Sequence, residues 1–247
     1  MKASPESQRR LLELAEVDAE LTRLEHRRRS LPEHEEISTL EQRNRELRDE
    51  LAVLEARAGD LRREQAKAEA DVEQVRARID RDRVRLDAGQ VSSPRELENL
   101  QSEVESLHRR QSDLEEIVLD VMERQETAQG QQEAAVAERA SIGTSLATVT
   151  ARRDAALAEI VEQAGKAADR RTAVVADEPA DLIDLYERLR ASHGGVGAAA
   201  LRRGRCEGCH LSLNTVDLNA IRAAAPDEVL RCEECRRILV RTDESGL

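Results

Sequence analysis

Apolar residues recur along this chain at a spacing of seven. Positions 37, 44, 51, 58, 65, 72, 79 and 86 carry Ile, Asn, Leu, Ala, Gln, Val, Ile and Leu, and positions 40, 47, 54, 61, 68, 75 and 82 carry Leu, Leu, Leu, Leu, Ala, Val and Asp. Twelve of these fifteen are apolar, and the positions between them are mostly Glu, Arg, Asp and Gln. A heptad held in phase for this long keeps one narrow stripe against a partner helix, so the pattern predicts a coiled-coil helix.

The repeat stops at Leu86, before Asp87-Ala88-Gly89-Gln90-Val91-Ser92-Ser93-Pro94. Ser93 is a helix-capping residue type, Pro94 suits a first helical position and Glu96 can reach back in a capping box, so a second helix is expected from Pro94. It carries Leu97, Leu100, Val104, Leu107, Leu114, Val118 and Val121 in phase, weakens through Gln125, Gln132 and Arg139, and recovers at Ile142, Leu146, Val149, Ala156 and Ile160. Looser packing or a bend is expected in the weak middle, around Gly130.

A short loop between two long helices makes them antiparallel neighbours. At about 1.5 Å per residue, helix 94–175 would be about 120 Å long and helix 31–86 about 84 Å, leaving about 36 Å without a partner. Residues 5–29 would supply about 37 Å and carry Leu14, Val17, Leu21 and Leu24 on one stripe, so they fit the gap. Their phase does not run into the Ile37 repeat, and Ser30-Leu31-Pro32-Glu33 is a second capping signal, which predicts a break at 30–32. Parallel pairing with a second copy is the alternative that the loop and the matched lengths disfavour. The expected fold is therefore mainly α: an antiparallel coiled-coil hairpin over residues 1–176, turning near 87–93, followed by a smaller region over 177–247.

That last region changes character. Asp177-Glu178-Pro179 opens a short amphipathic helix, Ala180 to Arg190, presenting Leu182, Ile183, Tyr186 and Leu189, and Gly194, Gly195 and Gly197 end it. Val196 to Leu201 is a candidate strand leading to two C-x-x-C pairs, Cys206/Cys209 and Cys232/Cys235. Each pair spans one edge of a tetrahedron, so four thiolates at this spacing point to one structural Zn²⁺ with no open coordination position. Iron would accept the same ligands, and a redox dithiol normally occurs as a single pair beside a βαβ pattern; zinc is the favoured assignment. His210 could in principle replace a thiolate, but a solvent-facing or supporting role is favoured. A strand over 228–231, a knuckle at 232–235, a strand over 237–241 and a helix at 215–224 would make a zinc ribbon whose few apolar residues need the metal to fold.

Composition narrows the function classes. Among 247 residues there is one Tyr and no Phe or Trp, charged residues make up 36% and mean hydropathy is -0.63, which argues against a large compact core and most enzyme folds. There is no membrane-length apolar run and residues 1–10 are polar, so a cytoplasmic location is expected. The net charge of -12 belongs to residues 1–200, because the arginines beyond them are matched by acids. Arg202, Arg203, Arg205, Arg236, Arg237 and Arg241 have two readings: with Arg231, some of them offset the charge of a four-thiolate zinc site, or they form a surface for phosphates or an acidic partner.

The segments Tyr186-Glu187-Arg188-Leu189-Arg190, Cys206-Glu207-Gly208-Cys209 and Val229-Leu230-Arg231-Cys232-Glu233-Glu234-Cys235-Arg236-Arg237-Ile238-Leu239-Val240, with Ser92-Ser93-Pro94-Arg95-Glu96-Leu97 after the turn, resemble the bacterial C4-type zinc-ribbon family with an N-terminal coiled-coil hairpin. The Ala/Arg-rich, Lys-poor make-up is similar to its actinobacterial branch. The family often has Gly after the last cysteine, where this chain has Arg236; a left-handed backbone there would cost about 1–2 kcal/mol. Relatives include a flagellar-biosynthesis chaperone that binds a sigma factor and a transcript, so the resemblance implies an adaptor rather than an enzyme. Three expectations follow. A protein-interaction scaffold, serving transcription or assembly of a larger complex, ranks first. Nucleic-acid binding through the ribbon ranks second, because the ribbon is net neutral, lacks aromatics and follows an acidic coil. Catalysis has no supporting motif. A monomer or weak homodimer is expected.

Overall fold

The computed structural model describes every residue except Ser92, which lies inside the turn expected at 87–93. The chain is mainly helical: α1 (Pro5–Arg29), α2 (Pro32–Asp87), α3 (Pro94–Ala176), α4 (Ala180–Ser192) and α5 (Thr215–Ala223), with short strands β1 (Ala198–Arg202), β2 (Arg205–Cys206), β3 (Leu230–Arg231) and β4 (Ile238–Arg241). The cap expected at Ser93 is present, and Ser4 and Asn214 cap two further helices. Ser4 accepts from the Ser7 amide at 3.0 Å ahead of Pro5, Ser93 from the Glu96 amide at 3.3 Å ahead of Pro94, and Asn214 from the Asp217 amide at 2.8 Å. The chain divides into two compact units, Glu36–Thr150 and Met1–Glu35 with Ala151–Leu247.

In the unit 36–150, α2 and α3 run antiparallel. Leu47 and Leu54 pack with Ala135 and Ile142, and Leu61 packs with Val121 and Ala128. The seam is not loose around Gly130: Ala128 is 1% and Ala135 5% exposed, and α3 continues through the region as helix. Small alanines let the helices approach where larger side chains are missing. The polar positions that weaken the repeat meet each other, Gln125 donating to Gln65 at 2.7 Å and Arg139 to Asn44 at 3.1 Å. Paired polar groups inside a seam fix register, since any slip would strand them against apolar neighbours. Arg43 makes a two-pronged pair with Glu138 and Arg124 another with Glu64, flanking the seam in the same antiparallel alignment.

In the other unit, Leu24 of α1 and Leu31 of the break before α2 pack on Ile160 in the last part of α3. The buried positions of α3 step by heptads up to Val149 and resume at Ile160, a stutter of about one helical turn. Beyond α4 the strands form one sheet in the order β2-β1-β4-β3. β3 and β4 are the hairpin expected around the second knuckle. β1 pairs parallel to β4, Ala198 opposite Ile238 and Ala200 opposite Val240, which local pattern does not reveal. β1 and β2 are joined by Arg203 (φ 48°) and Gly204 (φ 71°), a two-residue turn with both φ positive, the twist that suits a hairpin. The first residues also join this domain: the Ala3 amide donates to Asp227 O at 2.8 Å and the Val229 amide to Met1 O at 3.1 Å.

Candidate metal centre and its helical base

Each knuckle places two cysteines on a tight loop. After the second cysteine the backbone turns left-handed, at His210 (φ 61°) and at Arg236 (φ 61°), and the amides of these residues donate to the carbonyls of Cys206 and Cys232, both at 2.8 Å. Arg236 thus occupies the left-handed position that the resembling family often fills with Gly. His210 occupies the equivalent one, is exposed and is not a ligand.

The four sulfurs all lie within 4.8 Å of one another, with Cys206 and Cys235 Sγ at 3.9 Å and Cys209 and Cys232 Sγ at 3.9 Å. A tetrahedron with zinc–sulfur bonds of about 2.3 Å has edges of about 3.8 Å, so the sulfurs already stand at zinc-site spacing. Cys206 and Cys232 are buried and Cys209 and Cys235 half-buried. In the metal-free chain, burial pushes the Cys206 thiol up to about 12 and raises Cys232 as well. Burial also opposes ionisation at Cys235, but the amide and guanidinium donors of Arg237 outweigh it and hold that thiol below its ordinary value. A cation that demands thiolates and returns strong bonds is what such a pocket accommodates. Cys206, Cys209, Cys232 and Cys235 would hold one structural Zn²⁺ here.

The six candidate arginines separate into three groups. Arg237 is turned inward, donating to Val196 O at 3.0 Å, Gly208 O at 3.1 Å and His193 O at 2.6 Å. Arg241 donates to Ala224 O at 2.9 Å, Ala225 O at 2.6 Å and Pro226 O at 3.1 Å, so it closes the end of α5 and the loop that receives the N-terminus. Neither guanidinium is free for phosphate, because carbonyls left bare at helix and loop ends compete for it. Arg202 pairs with Glu244 at 2.7 Å and Arg236 with Glu233 at 3.2 Å on the surface. Arg203 and Arg205, at the β1–β2 turn, are exposed without an ion-pair partner among the described residues.

The ribbon rests on a helical base whose key group the sequence reading passed over. Asp18, on α1, is 0% exposed. It accepts from Tyr186 Oη at 2.7 Å and from Arg171 Nε at 2.8 Å, and Arg190 Nε lies 3.1 Å away; Glu187 binds both arginines from the other side. Burial, then the hydrogen bond to Asp18, pushes the Tyr186 phenol far above its ordinary value, so it stays a donor. Tyr186 is fully buried with Leu11, Leu14, Ala198, Ile238 and Val240, which joins α1, α4 and the sheet in one core. Gly197 makes this contact possible: a Cβ there would fall 2.4 Å from the Tyr186 carbonyl oxygen. The signal available in sequence was a lone acid on the Leu14–Val17–Leu21 stripe and a lone Tyr whose hydroxyl needs a buried partner.

With the hairpin, the four-sulfur centre and the base described, comparison with known proteins is decisive. A model of the CT398-like coiled coil hairpin domain matches residues 14–194. The chain belongs to the CT398-like coiled-coil hairpin family. A C4-type zinc ribbon domain matches residues 205–239, which contain all four cysteines. The chain is 40% identical over 243 residues to the uncharacterized protein Rv2229c of Mycobacterium tuberculosis, covering 98% of each. It is similar to a solved Mycobacterium smegmatis structure at 38% identity and a TM-score of 0.82, covering 98% of this chain and 100% of that one. CT398 from Chlamydia trachomatis shares the fold at 19% identity and a TM-score of 0.71, covering 96% and 98% of the two chains. No helix among the described residues is long and apolar enough to cross a membrane.

Proposed function

We propose that this chain is a non-enzymatic cytoplasmic adaptor, in which a zinc-organised ribbon, fused to a helical base, docks protein partners. The observation that carries the reading is the closed metal centre. Four cysteines fill the tetrahedron, so the zinc has no position for water or substrate and acts by fixing the shape of the head. The buried Asp18 network supports the same view, since it ties α1, α3 and α4 into one base against which the sheet packs through Ala198, Ile238 and Val240. Nucleic-acid binding remains the second reading. It rests on Arg203 and Arg205, which is a small cationic surface once Arg237 and Arg241 are engaged internally.

Affinity capture from native cytoplasm tests the reading. The zinc-loaded chain is compared with chelated chain, each with and without nuclease. Protein partners that survive nuclease and vanish on chelation are expected. Partners lost on nuclease treatment would favour the second reading, and a turnover activity that tracks zinc content would overturn the first.

A further inference from the structure

A groove of about 510 Å³ opens between α1 and β1. One face of α1 supplies Leu12, Ala15 and Ala19, and Val196, Ala198 and Ala200 supply the other wall. These side chains are apolar and mostly small, so the groove has room for larger apolar side chains from outside. Its rim is acidic. Glu16, Glu207 and Asp243 line it without an ion-pair partner among the described residues, while Arg202, the one basic lining group, is paired with Glu244 at 2.7 Å. Of the neighbouring cations, Arg237 and Arg241 are committed to backbone carbonyls, and Arg203 and Arg205, at the β1–β2 turn, do not line the groove.

We propose that this groove docks a basic amphipathic segment of a partner protein, its apolar side chains on the alanine walls and its Lys or Arg groups on Glu16, Glu207 and Asp243. The inference rests on the adaptor reading and names the chemistry of what the adaptor takes. Carboxylates beside an apolar wall are less screened than those in open solvent, so an incoming cation gains more there than elsewhere on the surface. The net charge of -12 draws cationic segments in from a distance, and the rim selects where they settle. The same acids repel nucleic acid and anionic membranes.

The test is fluorescence anisotropy on the zinc-loaded full chain with three labelled probes: a Leu/Lys amphipathic peptide, its Leu/Glu counterpart and a Lys/Ser peptide of equal charge. The Leu/Lys probe is expected to bind at least tenfold more tightly than either of the others. Glu16→Gln with Asp243→Asn is expected to weaken it about tenfold, as is Ala19→Phe, which fills the groove. Glu50→Gln with Glu55→Gln removes equal charge from exposed positions on α2 and should leave affinity within about twofold. Equal weakening by the two charge pairs, equal binding of the three probes, or a self-association of the chain lost in the Glu16/Asp243 variant would overturn the assignment, the last by giving the groove to a second copy. If the groove variants still capture chelation-sensitive protein partners, the assignment fails and the adaptor reading stands. Absence of any such partner for the unmodified chain sinks the adaptor reading itself.

Discussion

Asp18→Asn strikes the base where its charges converge. The carboxylate takes a phenol hydrogen bond at 2.7 Å and an Arg171 bond at 2.8 Å, with Arg190 Nε 3.1 Å away, and it has no contact with solvent. Asn keeps the shape but removes the charge and aims two hydrogens at groups that are themselves donors. Breaking a buried ion pair by removing one partner costs about 3–5 kcal/mol. Here the side chains of Arg171 and Arg190 keep 23% and 32% exposure and both retain Glu187, so part of that cost is recovered and about 2–3 kcal/mol is expected. Tyr186 is the chain's only aromatic residue, so its emission reports this site alone during urea unfolding. The Tyr186 transition should move to lower urea by that free energy, and the helical circular-dichroism signal of the 36–150 unit should unfold where it did before. A loss below about 0.5 kcal/mol would refute the reasoning, since it would mean that water already satisfies these groups.

Three further outcomes follow. Chelating zinc should expose residues 200–247 to proteolysis while most helical signal persists; equal protection before and after would contradict a metal-dependent ribbon. Arg236→Gly and His210→Gly should each stabilise the zinc-bound ribbon by up to about 1 kcal/mol in thermal unfolding, because Gly relieves the left-handed backbone and returns only part of the gain as unfolded-state entropy. Replacing the half-buried pair Gln65 and Gln125 together with Leu should raise the thermal midpoint yet broaden the distribution of oligomeric states in light scattering, as polar layers trade stability for register; a single sharp monomer would contradict a register role.

The features legible in sequence were those with a local cause. Heptads, the interruption between Arg29 and Pro32, the cap at Ser93 and the two knuckles each depend on residues a few positions apart. The strained turn at Arg236 was signalled only by the glycine that the resembling family often has there, and its twin at His210 follows from applying the same comparison to the first knuckle. What escaped was long-range. The parallel pairing of β1 with β4 joins segments some forty residues apart, Ala198 lying opposite Ile238. The anchoring of Ala3 and Gln8 near Pro226 and Asp227 spans nearly the whole chain. Arg237 and Arg241 look like every other surface arginine until the carbonyls they satisfy are seen. The weak middle of α3 was legible as polar but not as paired, because Gln125 and Arg139 find partners only once the hairpin has closed.

X-ray absorption at the zinc edge on the purified full chain tests the central claim most directly. One zinc per chain with four sulfur neighbours at about 2.3 Å and no nitrogen or oxygen neighbour is the expected result. A nitrogen or oxygen neighbour in place of a sulfur would open the coordination sphere that the adaptor reading requires to be closed, and iron held by four sulfurs would overturn the zinc assignment while leaving the centre closed.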